Sequence, residues 1–255
     1  MRAIFVSIVA GILALSMVGT GYATEYPVRW TSEVKLKDLK EIDALLNKPG
    51  FAGLGEDYPL TMELGGDQIA AGKVSCNEYF YLKYQGYEPS CNAAQEVEGS
   101  SFKIPCNTLQ YLKKAQPSKV SFLQGFKLTD NPLKNLPLTL GLYLSSDEAK
   151  EVSIAREKRL TWKEFAPTAK VEVEDPNNIS IDIQDSDGEV SGTYISLLAW
   201  GDFNGDGVED ILLSVTHTTG GSYHDFAIAA ITKIKKDGRI TQLMTPHLQK
   251  LWKEE

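Results

Sequence analysis

Histidine and cysteine are scarce in this chain, with three of each in 255 residues. So few histidines leave little material for a multi-histidine metal centre. Cys76, Cys91 and Cys106 are evenly spread and fit no zinc-binding spacing. Positive charge is also short: 26 Lys and Arg face 34 Asp and Glu, a formal charge of -8. A nucleic-acid partner would call for a basic stripe, so none is expected. Beyond the first two dozen residues no apolar run approaches the ~20 residues that a membrane span needs. The Gly-x-Ser-x-Gly turn that presents a serine nucleophile is missing as well. The sequence assigns no catalytic residue.

The start of the chain reads as a leader. Met1-Arg2 precedes an apolar stretch from Ala3 to Val18, and Gly21-Tyr22-Ala23 ends it in the small-x-Ala pattern of a cleavage site. Residues 1–23 are therefore expected to be a signal peptide, and the mature protein to be secreted or periplasmic. An oxidising compartment favours one disulfide and one free thiol among the three cysteines. The sequence leaves the pairing open. Cys106 follows Pro105 at an apparent helix start, where a thiolate would be stabilised, but no histidine lies nearby in sequence to activate it.

One run carries most of the chemistry: Gly201-Asp202-Phe203-Asn204-Gly205-Asp206-Gly207-Val208-Glu209-Asp210. Asp202, Asn204 and Asp206 alternate, so their short oxygen-bearing side chains can point to one centre. Gly207, the sixth residue counted from Asp202, suits a sharp turn. Asp210 closes the run. Ca²⁺ takes six to eight oxygens, and a tight loop of this pattern supplies them. The expected ligands are the side chains of Asp202, Asn204, Asp206 and Asp210 and the carbonyl of Val208. An EF-hand would carry a Glu at the twelfth position and helices on both sides. Here the twelfth residue is Leu213, and the flanks Tyr194–Trp200 and Ile211–Val215 have the composition of strands.

A strand, an Asp/Asn loop and a second strand resemble a single repeat of the FG-GAP/VCBS type, over about residues 194–234. The resemblance implies the same five ligands and a structural Ca²⁺. Propellers built of such repeats carry one motif per blade, and no second full copy occurs here. The nearest approach, Asp182 to Gly188, lacks the turn glycine and the closing acid, and reads as a polar hairpin turn.

The remainder divides into two parts, with the junction near Pro167. Residues 24–166 read as a mixed, helix-containing part. Leu36, Leu39, Ile42, Leu45 and Leu46 recur at helical spacing, and residues 107–116 and 145–158 are further expected helices, the latter opened by a Ser145–Glu148 capping box. Cys76–Gln85 is helix or strand. Val28–Thr31, Leu60–Leu64 and Leu138–Leu144 read as strands. Trp162-Lys163-Glu164-Phe165 looks like an exposed cluster, of a kind that serves packing more often than chemistry. Residues 167–255 read as an antiparallel part. Val171–Val173 and Ile179–Ile183 alternate with period two, and 194–200, 210–217 and 223–234 continue a meander. The fold class is therefore α+β, with an antiparallel β-meander bearing one calcium loop. The two parts are compatible with one shared core.

Gly220-Gly221 is a two-residue turn signal. A turn at those residues puts His217 opposite His224, which would suit an acid–base pair or a metal. Two function classes follow. The first is a non-enzymatic binding or interaction protein of the cell envelope, partnered by Ca²⁺ and by an envelope or extracellular protein or glycan. The second is an exported hydrolase with its site near His217 and His224.

Overall fold

The computed structural model describes residues 25–50, 60–71, 74–140, 150, 153–155, 157–158, 160–184, 190–218 and 224–243. The leader, the Ser145–Glu148 capping box and the Gly220-Gly221 turn lie outside the described residues. The protein is α+β, built on one long antiparallel sheet. Its strands are β5 (Lys170–Asp175), β6 (Asn178–Gln184), β7 (Val190–Gly201), β8 (Asp210–Thr218), β9 (His224–Thr232) and β10 (Thr241–Gln242). They pair in chain order as a meander. β1 (Arg29–Trp30) joins the end of β7, with Arg29 opposite Trp200. A small second sheet is made by β2 (Leu60–Leu64), β3 (Asp67–Ala71) and β4 (Glu88–Pro89).

The centre of the large sheet is covered on both faces. Ile211, Leu213 and Val215 of β8 belong to one core, and Leu212 to the other. That is why β8 opens with an uninterrupted apolar run instead of alternating. In β7 the register shifts between Leu197 and Ala199, a bulge at Leu198. Beyond the bulge Ala199 joins the first core, and Trp200 packs on the second.

The first face is covered by helices. A 3₁₀ turn at Leu39–Glu41 leads into α1 (Ile42–Leu46). α2 (Cys76–Tyr84) starts at Ser75, where the hydroxyl accepts from the Glu78 amide while the Glu78 carboxylate accepts from the Ser75 amide. This resolves the Cys76–Gln85 ambiguity in favour of helix. α3 (Asn92–Glu98), a π turn (Gly99–Lys103) and α4 (Ile104–Lys114) run on without a break. Leu109, Tyr111 and Leu112 of α4 turn inward. Cys76 and Cys106 join α2 to α4 through a disulfide, and Cys91 is the exposed free cysteine.

The second face is covered by α5 (Pro132–Asn135), a 3₁₀ turn at Leu138–Leu140, helical residues at 150, 153–155 and 157, and α6 (Trp162–Phe165). Two expectations are corrected here. Leu138–Leu140 forms no strand: Pro137 precedes it, and the Leu140 amide bonds back to the Pro137 carbonyl. Trp162 is buried, with its indole N–H donating to the Pro137 carbonyl. The Thr161–Glu164 capping box turns that ring inward.

Candidate metal centre

The Asp202–Asp210 loop joins β7 to β8 at the end of the sheet where β1 is added. Gly205 and Gly207 both have φ of +82°, the left-handed region that a Cβ disfavours. No crowding forces glycine at position 207, because a Cβ there would lie 3.6 Å from Lys119. The backbone twist alone requires it. Phe203 reaches into the helical core and meets Tyr111 edge-on, with ring centroids 6.1 Å apart.

The loop is wound around its own carboxylates. Asp202 is buried. Its Oδ1 accepts from the amides of Asn204 (3.2 Å) and Gly205 (2.6 Å), and its Oδ2 from the amide of Gly207 (2.7 Å). Asp206 Oδ1 accepts from the Val208 amide (2.7 Å), and its Oδ2 from the Asn204 side chain (2.9 Å). Asp210 Oδ2 accepts from the Phe203 amide (3.0 Å). Asp210 is buried, and the Thr232 hydroxyl opposite it on β9 is a second donor to its carboxyl. Burial, with Asp206 and Asp202 nearby, pushes the Asp210 carboxyl up to about 7.

A strap from the end of α4 holds the loop from outside. Gln116 and Asp202 exchange backbone hydrogen bonds of 3.0 and 2.9 Å. Val120 forms a parallel bridge with Val208, through the Gly207 carbonyl and the Glu209 amide. Val208 itself donates its N–H to Asp206 Oδ1 and not to the strap. Glu209 is fully buried beside the strap and pairs with Arg29 of β1. It also accepts from the Ser121 hydroxyl at 2.6 Å. The Arg29 guanidinium lies 4.6 Å from the centre of the Trp200 ring, a cation–π distance. The sequence reading missed this Arg29–Glu209–Ser121 group. Glu209 lies off the alternating ligand spacing, and its partners are far away in sequence.

All five expected ligands thus lie on one loop, and their hard oxygen donors match what Ca²⁺ takes. Among the described residues, no three His, Cys, Asp or Glu side chains gather closely enough to hold an ion. The loop's own amides occupy most of the carboxylate oxygens, and the Thr232 hydroxyl of β9 also meets Asp210. Among the described residues no lysine or arginine pairs with Asp202, Asp206 or Asp210.

No protein-family model, no curated protein and no solved structure matches this chain.

The histidine pair is corrected. His217 lies opposite Asp225, and Thr218 opposite His224. The strands therefore separate after Thr218 and before His224, so the connection is longer than the two glycines alone. Shifting a register by one residue exchanges the faces, so His217 and His224 lie on opposite sides of the sheet. His217 is buried, with Nδ1 3.0 Å from Thr193 Oγ1. The hydrolase reading loses the pair on which it rested.

Proposed function

We propose that this chain is an exported protein of the cell envelope that acts by binding, and that its Asp202–Asp210 loop holds a structural Ca²⁺. The observation that supports the metal reading is a ligand-spaced loop whose carboxylates Asp202, Asp206 and the buried Asp210 have no lysine or arginine partner among the described residues. The left-handed glycines and the strap support it. On this reading the side chains of Asp202, Asn204, Asp206 and Asp210 and the Val208 carbonyl are the ligands. A bound Ca²⁺ supplies the counter-charge that three carboxylates lack. The residues themselves tie the end of β7 to the start of β8 and, through Gln116 and Val120, to the helical layer. The loop is then one FG-GAP/VCBS-like repeat serving stability.

Chelation tests this directly. A ligand at a hundredfold excess over its Kd adds about 2.7 kcal/mol to the folded state. In a domain of this size that is roughly 5–10 °C in melting temperature. Chelator should remove that increment and added Ca²⁺ restore it, while Asp206→Ala should melt alike under both conditions. Identical melting curves for metal-free and Ca²⁺-loaded wild type would overturn the proposal.

A further inference from the structure

The second face of the sheet carries an open groove. It lies between the β9–β10 connection, residues 233–240, and the helices that cover that face, and its volume is about 1410 Å³. That exceeds the roughly 300–1,000 Å³ of a pocket for a drug-sized ligand, so an elongated molecule fits. Phe122 and Phe126, Leu160 and Ile240 make its apolar wall, all half-buried. Phe126, Leu160 and Ile240 pack on the second core with one side only. Ile234 stands at the lip and is 64% exposed. Large apolar side chains left partly open around one groove mark an interaction surface.

The charge around this wall is opposite in sign to that of the chain. Lys134, Lys163, Lys233, Lys235 and Arg239 line the groove against Asp130, Glu164 and Asp237. The groove is therefore positive in a chain whose formal charge is -8. Two of the five cations are engaged. Lys163 Nζ donates to the Pro167 carbonyl at 2.9 Å, and the Arg239 charge acts on the Glu164 carboxylate. Among the described residues no acid pairs with Lys134, Lys233 or Lys235. Ile234 sits between two of these lysines, so an exposed apolar side chain and two unpaired ammonium groups share one lip.

An apolar wall with unpaired cations at its lip complements a molecule with an apolar chain and an anionic end. Burial of the chain supplies affinity in proportion to its length, and the lysines hold the anionic end through charge-assisted hydrogen bonds. A small polyanion would leave the phenyl and aliphatic wall unused. A flat bilayer surface would meet Ile234 but not the concave wall behind it. We propose that this groove binds a single-chain fatty carboxylate, with the alkyl chain along Phe122, Phe126, Leu160 and Ile240 and the carboxylate at Lys233 and Lys235. The proposal rests on the reading of the chain as a binding protein, for which it names a ligand class, and it needs no ion in the Asp202–Asp210 loop.

The test is a ¹⁵N–¹H NMR titration of the full chain with sodium decanoate, kept below its micelle concentration at constant ionic strength. Sodium hexanoate and decyltrimethylammonium bromide serve as comparators. The expected result is saturable shifts at the Phe126, Ile234 and Ile240 amides with decanoate, at a Kd of about 100 µM for a ligand of this size. Hexanoate, four methylenes shorter, should bind at least about tenfold more weakly, and the cationic amphiphile should give no saturable shift at these amides. Changing Lys233 and Lys235 together to Gln should weaken decanoate binding about tenfold. Ile234→Ser, at an exposed site, should weaken it about threefold with the melting temperature unchanged, which keeps the test open if the lysine variant does not fold. Equal affinity for hexanoate, saturation by decyltrimethylammonium at the same amides, or undiminished binding in the folded variants would overturn the proposal. Sedimentation with phosphatidylglycerol vesicles in the absence of decanoate shifts would also overturn it and assign the surface to a membrane. Absence of decanoate shifts, with the chelator effect on melting intact, would overturn the groove and leave the calcium reading standing.

Discussion

Strand β8 has carboxylates at both ends, and the fold treats them in opposite ways. At the Asp210 end, Asp202, Asp206 and Asp210 are wrapped by backbone amides, and no lysine or arginine pairs with them among the described residues. At the His224 end, Glu88, Glu98 and Asp225 share Lys83 and Lys103. Amides orient a carboxylate but do not cancel its charge, whereas ammonium groups do both. The first end is held by the backbone of its own loop, and the second by side chains from separate elements.

Experiments can break this comparison at either end. The largest effect is expected at the loop. Asp202→Ala strips the acceptor from three amides at once, and should cost about 4 kcal/mol in urea melts. A cost no larger than that of Glu88→Gln at the other end would erase the distinction. Next is the Cys76–Cys106 bridge, which closes a separation of 30 residues. Its loss should cost about 3.5 kcal/mol on the chain-entropy account. Because it joins α2 to α4, hydrogen exchange should quicken around Tyr79 and Glu98 while the loop amides stay protected. Alkylation of unreduced, denatured protein should add one group, at Cys91.

Arg29→Ala comes third, at about 2 kcal/mol. It leaves the buried Glu209 carboxylate with the Ser121 hydroxyl as its remaining side-chain partner. A double-mutant cycle with Glu209→Gln measures how much of the cost belongs to the pair. The smallest effect is at the start of α2. The Ser75 amide and hydroxyl hold the Glu78 carboxyl below the usual carboxylate range. A depressed pKa contributes stability above the unfolded value of about 4.3 and loses it as pH falls through the folded value. Ser75→Ala should therefore cost about 1 kcal/mol at pH 7. The gap between wild type and variant should narrow below about pH 4 but not close, because the bond from the Glu78 amide to the Ser75 hydroxyl does not titrate.

The sequence made the meander legible because its strands carry strong local signals. Val171–Val173 and Ile179–Ile183 alternate, and both fall within β5 and β6. The loop between β7 and β8 was legible for the same reason, since ligand spacing is a short-range pattern. The α+β class followed from these. What stayed hidden depends on distance. The disulfide partner of Cys76 was open until α2 and α4 were seen side by side. The His217–Asp225 register turned on the length of one connection, which glycines alone do not set. Glu209 gave no signal, because its partners Arg29 and Ser121 come from separate parts of the chain. The 92–103 stretch was not read as helical: it contains the π turn, whose wider spacing departs from the helical period.

The Arg29–Glu209 contact spans 180 positions of sequence. A chain leaving the ribosome N-terminus first carries β1 unpaired until β7 and β8 have both emerged. The strap residues Gln116 and Val120 wait equally for Asp202 and Val208. Native pairing of this kind raises contact order and slows folding, because the long loop must close before its contacts reward it. β1 and the strap therefore dock only after β7 and its following loop have been made, whereas β5 to β9 pair with their immediate neighbours in the chain.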